Sequence, residues 1–273
     1  MLLRKAQKHT FSHCFYLPLY YPKNMDLNNI FTIGRRDFFK KSMLLSAGAT
    51  GLILPLLAKS GRTETNPETC KAVATPPLGE GPFYPIKNQE DKDNDLTLIK
   101  GSTQRAEGEI IYLYGQVTDL QCRPIQNAQV EIWQADTRGR YDHAEDPNVD
   151  TVDRNFQHWG FCQTDAEGRY EFITIMPSSY PAWGGWVRPS HVHFHVYKSG
   201  FHDLITQMFF AGDPLHQQDK VLQEVIPHLQ YAVIATQENS LATQENSLAN
   251  KHKNLLVGAK QWKFNIVLRR SPI

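Results

Sequence analysis

Neither sign of charge dominates this chain: 29 basic residues meet 28 acidic ones, and the sequence pI is near 7.7. Without a net field there is little to attract a nucleic-acid backbone, and no nucleic-acid partner is expected. Cysteine is scarce, with four residues scattered at Cys14, Cys70, Cys122 and Cys162. None forms a C-x-x-C pair, so a zinc ribbon is not supported. An exported chain could join two of the last three, but the spacing does not select which. No G-x-G-x-x-G follows a strand-like run, so no nicotinamide or flavin fingerprint is present. Asp91-Lys92-Asp93-Asn94-Asp95 lacks the glycine and terminal glutamate of a calcium loop and reads as a solvated turn. Helical periodicity is also nearly missing.

What is present begins with a leader. Arg35-Arg36-Asp37-Phe38-Phe39-Lys40-Lys41 precedes residues 42–58, an apolar run without charge. Paired arginines before a short apolar stretch read as a twin-arginine export signal over residues 1–60. The run is interrupted by Gly48, Gly51 and Pro55 and is short for a membrane span of about 20 residues. No clean A-x-A cleavage site follows, so a membrane association through an uncleaved leader stays open, with the periplasm or the extracellular space as the expected destination. Met25 is a candidate alternative start. Residues 61–74 form a polar linker, and 75–273 the domain.

Within that domain, strand signals prevail. Residues 110–119 are rich in Ile, Tyr, Leu and Val, and a turn at 121–124 leads to the alternating run 128–132. A turn at 165–168 separates strand-like runs 159–164 and 169–175, and further strands are expected at 191–197, 207–210 and 262–268. Many short strands punctuated by turns predict an all-β fold, a single β-sandwich domain. Ala235-Thr236-Gln237-Glu238-Asn239-Ser240-Leu241 is repeated at 242–248, and this duplication (235–248) is expected in a surface loop, where insertions are tolerated.

The richest chemistry lies in Arg188-Pro189-Ser190-His191-Val192-His193-Phe194. On a strand, residues i and i+2 face the same side, so His191 and His193 present two imidazoles to one point. Imidazole alone suits zinc, copper, iron or nickel. Tyr141 and Tyr180 narrow the choice, because a phenol of pKa about 10 ligates at neutral pH only under a highly charged cation. Hard anionic oxygen with imidazole points to ferric iron, a metal that tyrosine ligates elsewhere.

These residues stand in runs that resemble the intradiol ring-cleavage dioxygenases. The runs are Gly139-Arg140-Tyr141, Ser179-Tyr180-Pro181-Ala182-Trp183, the histidine segment, Gly79-Glu80-Gly81-Pro82-Phe83-Tyr84-Pro85, and Leu204-Ile205-Thr206-Gln207-Met208-Phe209-Phe210-Ala211-Gly212-Asp213-Pro214. From about residue 75 to about 220 the similarity is closest to the iron-bearing beta subunit of the protocatechuate type. The short stretch ahead of the domain, without room for the helical dimerisation region of catechol-type members, is expected on that branch. The resemblance implies one non-haem Fe(III) per chain, held by Tyr141, Tyr180, His191 and His193. It implies that a catechol-type substrate and O2 react to a cis,cis-muconate without a reductant. Tyr180 is the ligand expected to leave when substrate binds, Tyr141 the one to stay. Arg188 and Gln207 match donors that stabilise charge developing on the ring, and Trp183 is expected to pack on Tyr180 or line the substrate pocket. A homo-oligomer or a partner subunit is open, because part of the pocket in that family can come from a second subunit. His143, His158, His195 and His202 are assigned to the surface or the periphery of the site, and His195 shares the ligand face.

A transthyretin-like binding module shares the pattern around Gly115-Gln116-Val117-Thr118-Asp119 but lacks the tyrosine pair and the His-x-His. A cupin or a two-histidine, one-carboxylate oxygenase needs an acidic ligand, and no Asp or Glu lies between His193 and His202.

Overall fold

Crowding of β-branched and aromatic residues makes Ile110–Asp119 the longest strand, β1. The computed structural model describes residues 70, 72–87, 89–182, 184–238 and 247–272. These fall within one compact unit, Gly61–Ile273. The expected leader, its arginine pair and most of the linker lie outside the described residues.

Ten strands follow β1: β2 (Gln129–Trp133), β3 (Trp159–Gln163), β4 (Arg169–Ile175), β5 (Tyr180–Pro181), β6 (Val187–Arg188), β7 (His191–Tyr197), β8 (Leu204–Phe210), β9 (Ile234–Glu238), β10 (Lys260–Lys263) and β11 (Ile266–Leu268). Among the described residues helix is confined to α1 (Ser247–Lys251) and to short 3-10 turns at Pro214–Gln218, Leu222–Glu224 and Pro227–Val233. None of these is long and apolar enough to cross a membrane.

The fold is all-β, as expected, but its two layers belong to one sheet. Hydrogen bonding runs β11-β1-β10-β9-β8-β7-β2-β3, with β4 on the other edge of β1. The carry-over from one layer to the other occurs at β9. Its start pairs with β8 at Phe209↔Ile234 and Phe210↔Ala235, and its end pairs with β10. Ile111 and Leu113 of β1 and Phe172 of β4 share one core with Ile132 of β2 and Val192, Phe194 and Val196 of β7. Ring contacts cross the gap, Phe194 lying 5.1 Å from Phe264 and 6.0 Å from Tyr170.

Two expectations are corrected here. The run 262–268 is two strands, both parallel to β1, broken at Phe264-Asn265. The break is held in place by side chains: Asn265 Oδ1 accepts the Gln116 N–H (3.1 Å), and the Phe264 carbonyl accepts the Tyr170 hydroxyl (2.6 Å). The duplicated segment is not loop throughout, since its first copy opens inside β9 and its second ends in α1. Residues 239–246 lie outside the described residues. Buried Ala235 and Leu248 explain the difference, because both copies supply an apolar residue to a core cluster.

Candidate metal centre and cleft

Strict alternation on β7 sends Val192, Phe194 and Val196 into the core and His191 and His193 to the opposite face. That face is not solvent: both histidines are only 2% exposed. The cover is a second apolar cluster of Phe83, Trp133, Ala135, Tyr141 and Trp159. Register places His193 between Trp133 on β2 and Gln207 on β8. Trp133 stacks on the His193 ring, centroids 4.8 Å apart and planes 12° from parallel. Gly81 brings the N-terminal segment over the same imidazole. Its φ is +77°, and a Cβ there would lie 3.2 Å from His193 Cε1.

Tyr141 is delivered by a tight loop after β2. Asp136, fully buried, builds that loop: its Oδ1 accepts the N–H groups of Arg138 (2.8 Å) and Arg140 (3.1 Å), and its Oδ2 that of Asp153 (3.1 Å). Asp146 then accepts the Tyr141 N–H at 2.6 Å. Tyr180 arrives on the two-stranded ribbon β5–β6, where its register partner is Arg188. The two segments touch at Gly139 (φ +71°), where a Cβ would meet Tyr180 Cβ at 2.8 Å.

Four donor atoms converge. Tyr141 Oη lies 3.1 Å from His193 Nε2 and 3.3 Å from His191 Nε2, and Tyr180 Oη lies 3.4 Å from His191 Nε2. Ligands about 2 Å from a common cation stand about 3 Å apart, so the four expected ligands fit one metal ion. His191 Nδ1 is 2.7 Å from the Pro189 carbonyl, which assigns its proton to Nδ1 and leaves the Nε2 lone pair aimed inward. Elsewhere, no group of three or more His, Cys, Asp or Glu is assembled for a metal among the described residues.

Burial sets the charge state of these four groups. Burial lifts the Tyr141 phenol well above its ordinary value, and neighbouring Tyr180 adds to the effect. Burial raises Tyr180 too, opposed by the charge of Arg188. Both imidazoles are pushed well below their usual value, by burial first and by Arg188 second. The donors alone are thus two neutral phenols and two neutral imidazoles, and a bound high-charge cation would ionise the phenols.

A cleft of about 920 Å³ opens beside this centre, lined by Tyr180, Arg188, Gln207, Phe83 and Trp186 among others. Of the four donors Tyr180 alone lines it, and Tyr141 is only 3% exposed. Arg188 and Gln207 are brought together as expected, and they bond to each other: Arg188 Nη2 donates to Gln207 Oε1 at 2.7 Å. Gln207 Nε2 donates in turn to the Gly79 carbonyl at 2.7 Å.

Sequence reasoning missed Asp219, whose fully buried Oδ2 accepts from Arg188 Nε at 2.8 Å. It also missed Trp186, whose ring centroid is 5.5 Å from the Arg188 guanidinium. The signal for Trp186 was available in its place two residues before Arg188. Trp183 lies outside the described residues. His195 does not approach the centre: it faces Glu131 (3.4 Å) and Asp203 (3.8 Å). His202 is exposed, whereas His143 and His158 are buried and not surface residues. His143 packs against Phe83 at 5.8 Å.

The family model described as Dioxygenase matches residues 79–269, well beyond the run of about 75 to 220 in which the motifs are dense. A protocatechuate 3,4-dioxygenase beta chain from Burkholderia cepacia is 43% identical over 149 residues, covering 52% of this chain and 62% of that protein. A catechol 1,2-dioxygenase from Acinetobacter baylyi is 33% identical over 159 residues, covering 54% of this chain and 49% of that protein. The chain thus spans less than two thirds of the length of either relative. Among solved structures, catechol 1,2-dioxygenase from an Acinetobacter species superposes with a TM-score of 0.53 at 26% identity, covering 73% of this chain and 64% of that one. Hydroxyquinol 1,2-dioxygenase from Pseudomonas putida gives 0.55 at 22% identity, covering 77% and 69%, a likeness of fold.

Proposed function

The chain belongs to the intradiol dioxygenase family, and from that premise we propose that it opens a catechol-type ring between the two hydroxyl-bearing carbons with O2. One non-haem Fe(III) is the proposed cofactor, with Tyr141, Tyr180, His191 and His193 to hold it. The observation that carries this reading is the convergence of those four donors at 3.1 to 3.4 Å with Tyr180 turned to the cleft. A bound ferric ion would acidify the phenols and withdraw electron density from a chelated diphenol.

The residues of the chain then divide the work. Tyr180 is the displaceable ligand, because it alone of the four has surface in the cleft. Once released, its phenol holds a proton from the diphenol at Oη, and burial makes it a good proton holder. Tyr141, packed 4.9 Å from the Phe83 ring and buried, has no surface in the cleft and stays. Arg188 and Gln207 are fixed donors for charge that grows on the ring. The apolar cover of Phe83, Trp133 and Trp159 keeps water from the centre.

Export by the twin-arginine route is proposed with the enzyme, because that route carries folded proteins, often with a metal already loaded. A disulfide between Cys70 and Cys122 supports an oxidising compartment. Replacing Arg35 and Arg36 with lysines and following the precursor tests that route. For the catalytic reading, iron-loaded protein should carry about one iron per chain and a broad visible charge-transfer band. It should consume O2 with catechol and release a muconate-type product. A colourless protein holding stoichiometric zinc after growth in ample iron would sink the reading.

A further inference from the structure

Two cations line the cleft, and both are already matched. Arg188 is held by buried Asp219 at 2.8 Å. Arg138 pairs with Glu107 and also reaches the Thr151 carbonyl at 3.5 Å. Three carboxylates line the same cleft, Asp146, Asp150 and Glu224, and none of them forms an ion pair among the described residues. Asp146 accepts the N–H groups of Tyr141 (2.6 Å) and Asn148 (2.8 Å), neither of which is a counter-charge. Asp150 and Glu224 are exposed. Lys220 stands over the Trp186 ring at 5.5 Å but is not part of the lining. Much of the remaining wall is apolar, with Pro82, Phe83, Val149 and Val221. Its volume of about 920 Å³ is within the range that accepts drug-sized ligands, larger than a bare diphenol.

We propose that this cleft selects catechols whose ring substituent is neutral or cationic and discriminates against those bearing a carboxylate, with Asp150 and Glu224 as the specificity-determining residues. The proposal rests on the ring-opening function given above and names its substrate class. It sets the chain apart from protocatechuate, the carboxylated catechol in the name of the Burkholderia cepacia relative. A carboxylate on the ring would face three like charges with no unmatched arginine to receive it. A protonated amine would find two exposed partners on an apolar wall. Single charges on the wall of a half-open cleft shift affinity by about three- to tenfold each and weaken as salt rises.

The test uses the full chain loaded with iron, without oxygen, and four ligands: dopamine (cationic), para-ethylcatechol (neutral), homoprotocatechuate and protocatechuate (both anionic). Dissociation constants are read from the shift of the visible band and, independently, by calorimetry. At low salt, dopamine and para-ethylcatechol should bind about tenfold or more tightly than either anion. In the Asp150→Asn/Glu224→Gln double variant, and in wild type at high salt, the gap should close to about threefold. Anions that bind as tightly as para-ethylcatechol overturn the proposal and leave the catechol site standing. A gap that the double variant does not alter removes Asp150 and Glu224 from the selection and overturns it as well. If none of the four shifts the band of the iron-bound protein, the catechol reading itself fails and this proposal falls with it. Adding Lys220→Ala covers the opposite case: loss of tight anion binding in that variant would make Lys220 a carboxylate anchor.

Discussion

Single carboxylates do more of the positioning than the motif residues themselves. Asp219 holds Arg188 through Nε and accepts the Leu222 N–H at 2.6 Å, so one buried side chain ties the arginine to the turn at Leu222–Glu224. Asp219→Asn keeps an acceptor but removes the balancing charge. We expect the variant to retain its iron colour and its anaerobic spectral response to catechol. Ring opening should slow by about 10²-fold, the scale of a small misplacement of a catalytic group. Stability should drop by about 3 kcal/mol, because a buried guanidinium loses its counter-charge. Loss of iron in this variant would show that Asp219 supports the histidine strand and not the arginine. None of this was legible beforehand. Asp219 lies 31 residues from Arg188 and outside the motif runs, and only folding brings the two into contact.

Strands set the positions of the chemical groups. The alternation of β7 was readable from His191-Val192-His193-Phe194, and it gives one strand two duties: core on one face, the proposed ligands on the other. Phe194→Ala should therefore destabilise the fold by about 3–5 kcal/mol and also lower iron occupancy, since the same strand carries His191 and His193. Phe172→Ala on β4 removes a ring from the same core, and there the folded fraction should hold iron normally. Denaturant melts combined with iron analysis separate the two. Equal iron loss in both would mean that the site follows global stability and not strand β7. Register, by contrast, was not readable. That Tyr180 faces Arg188, and His193 faces Gln207, follows from how short strands pair across the β5–β6 ribbon and the β7–β8 edge.

For the whole molecule, the staple between Cys70 and Cys122 ties the start of the described chain to the turn after β1. Nearby, the Ala72 N–H reaches the Leu120 carbonyl at 3.2 Å and the Thr75 N–H the Val267 carbonyl at 3.1 Å. The end of the expected linker is thus part of the domain. A crosslink across 52 residues restricts the unfolded chain, and Cys122→Ser should cost about 2–4 kcal/mol. The melting temperature with and without reductant checks this, and reductant should leave the variant unchanged. Cys162 is partly buried against the core, and burial lifts its thiol to about 12. Alkylation mapped by mass spectrometry at mild alkaline pH should find Cys162 unmodified in the folded protein and modified after denaturation.

The amino-acid sequence by itself supplied the proposed donor set and determined the alternation that points His191 and His193 to one side, most of the strands and the absence of a nucleotide fingerprint. Each of these depends on residue identity and on periods of two, which are local. Tertiary structure alone decided which groups meet. Tyr141 reaches His191 across 50 residues, Tyr180 and not Tyr141 opens to the cleft, and both cleft arginines are matched before any substrate arrives. It also decided that β9 would join the two layers into one sheet, drawing part of a duplicated segment into the core. Such outcomes depend on loop closure and on burial shared between distant segments, quantities that no local pattern contains.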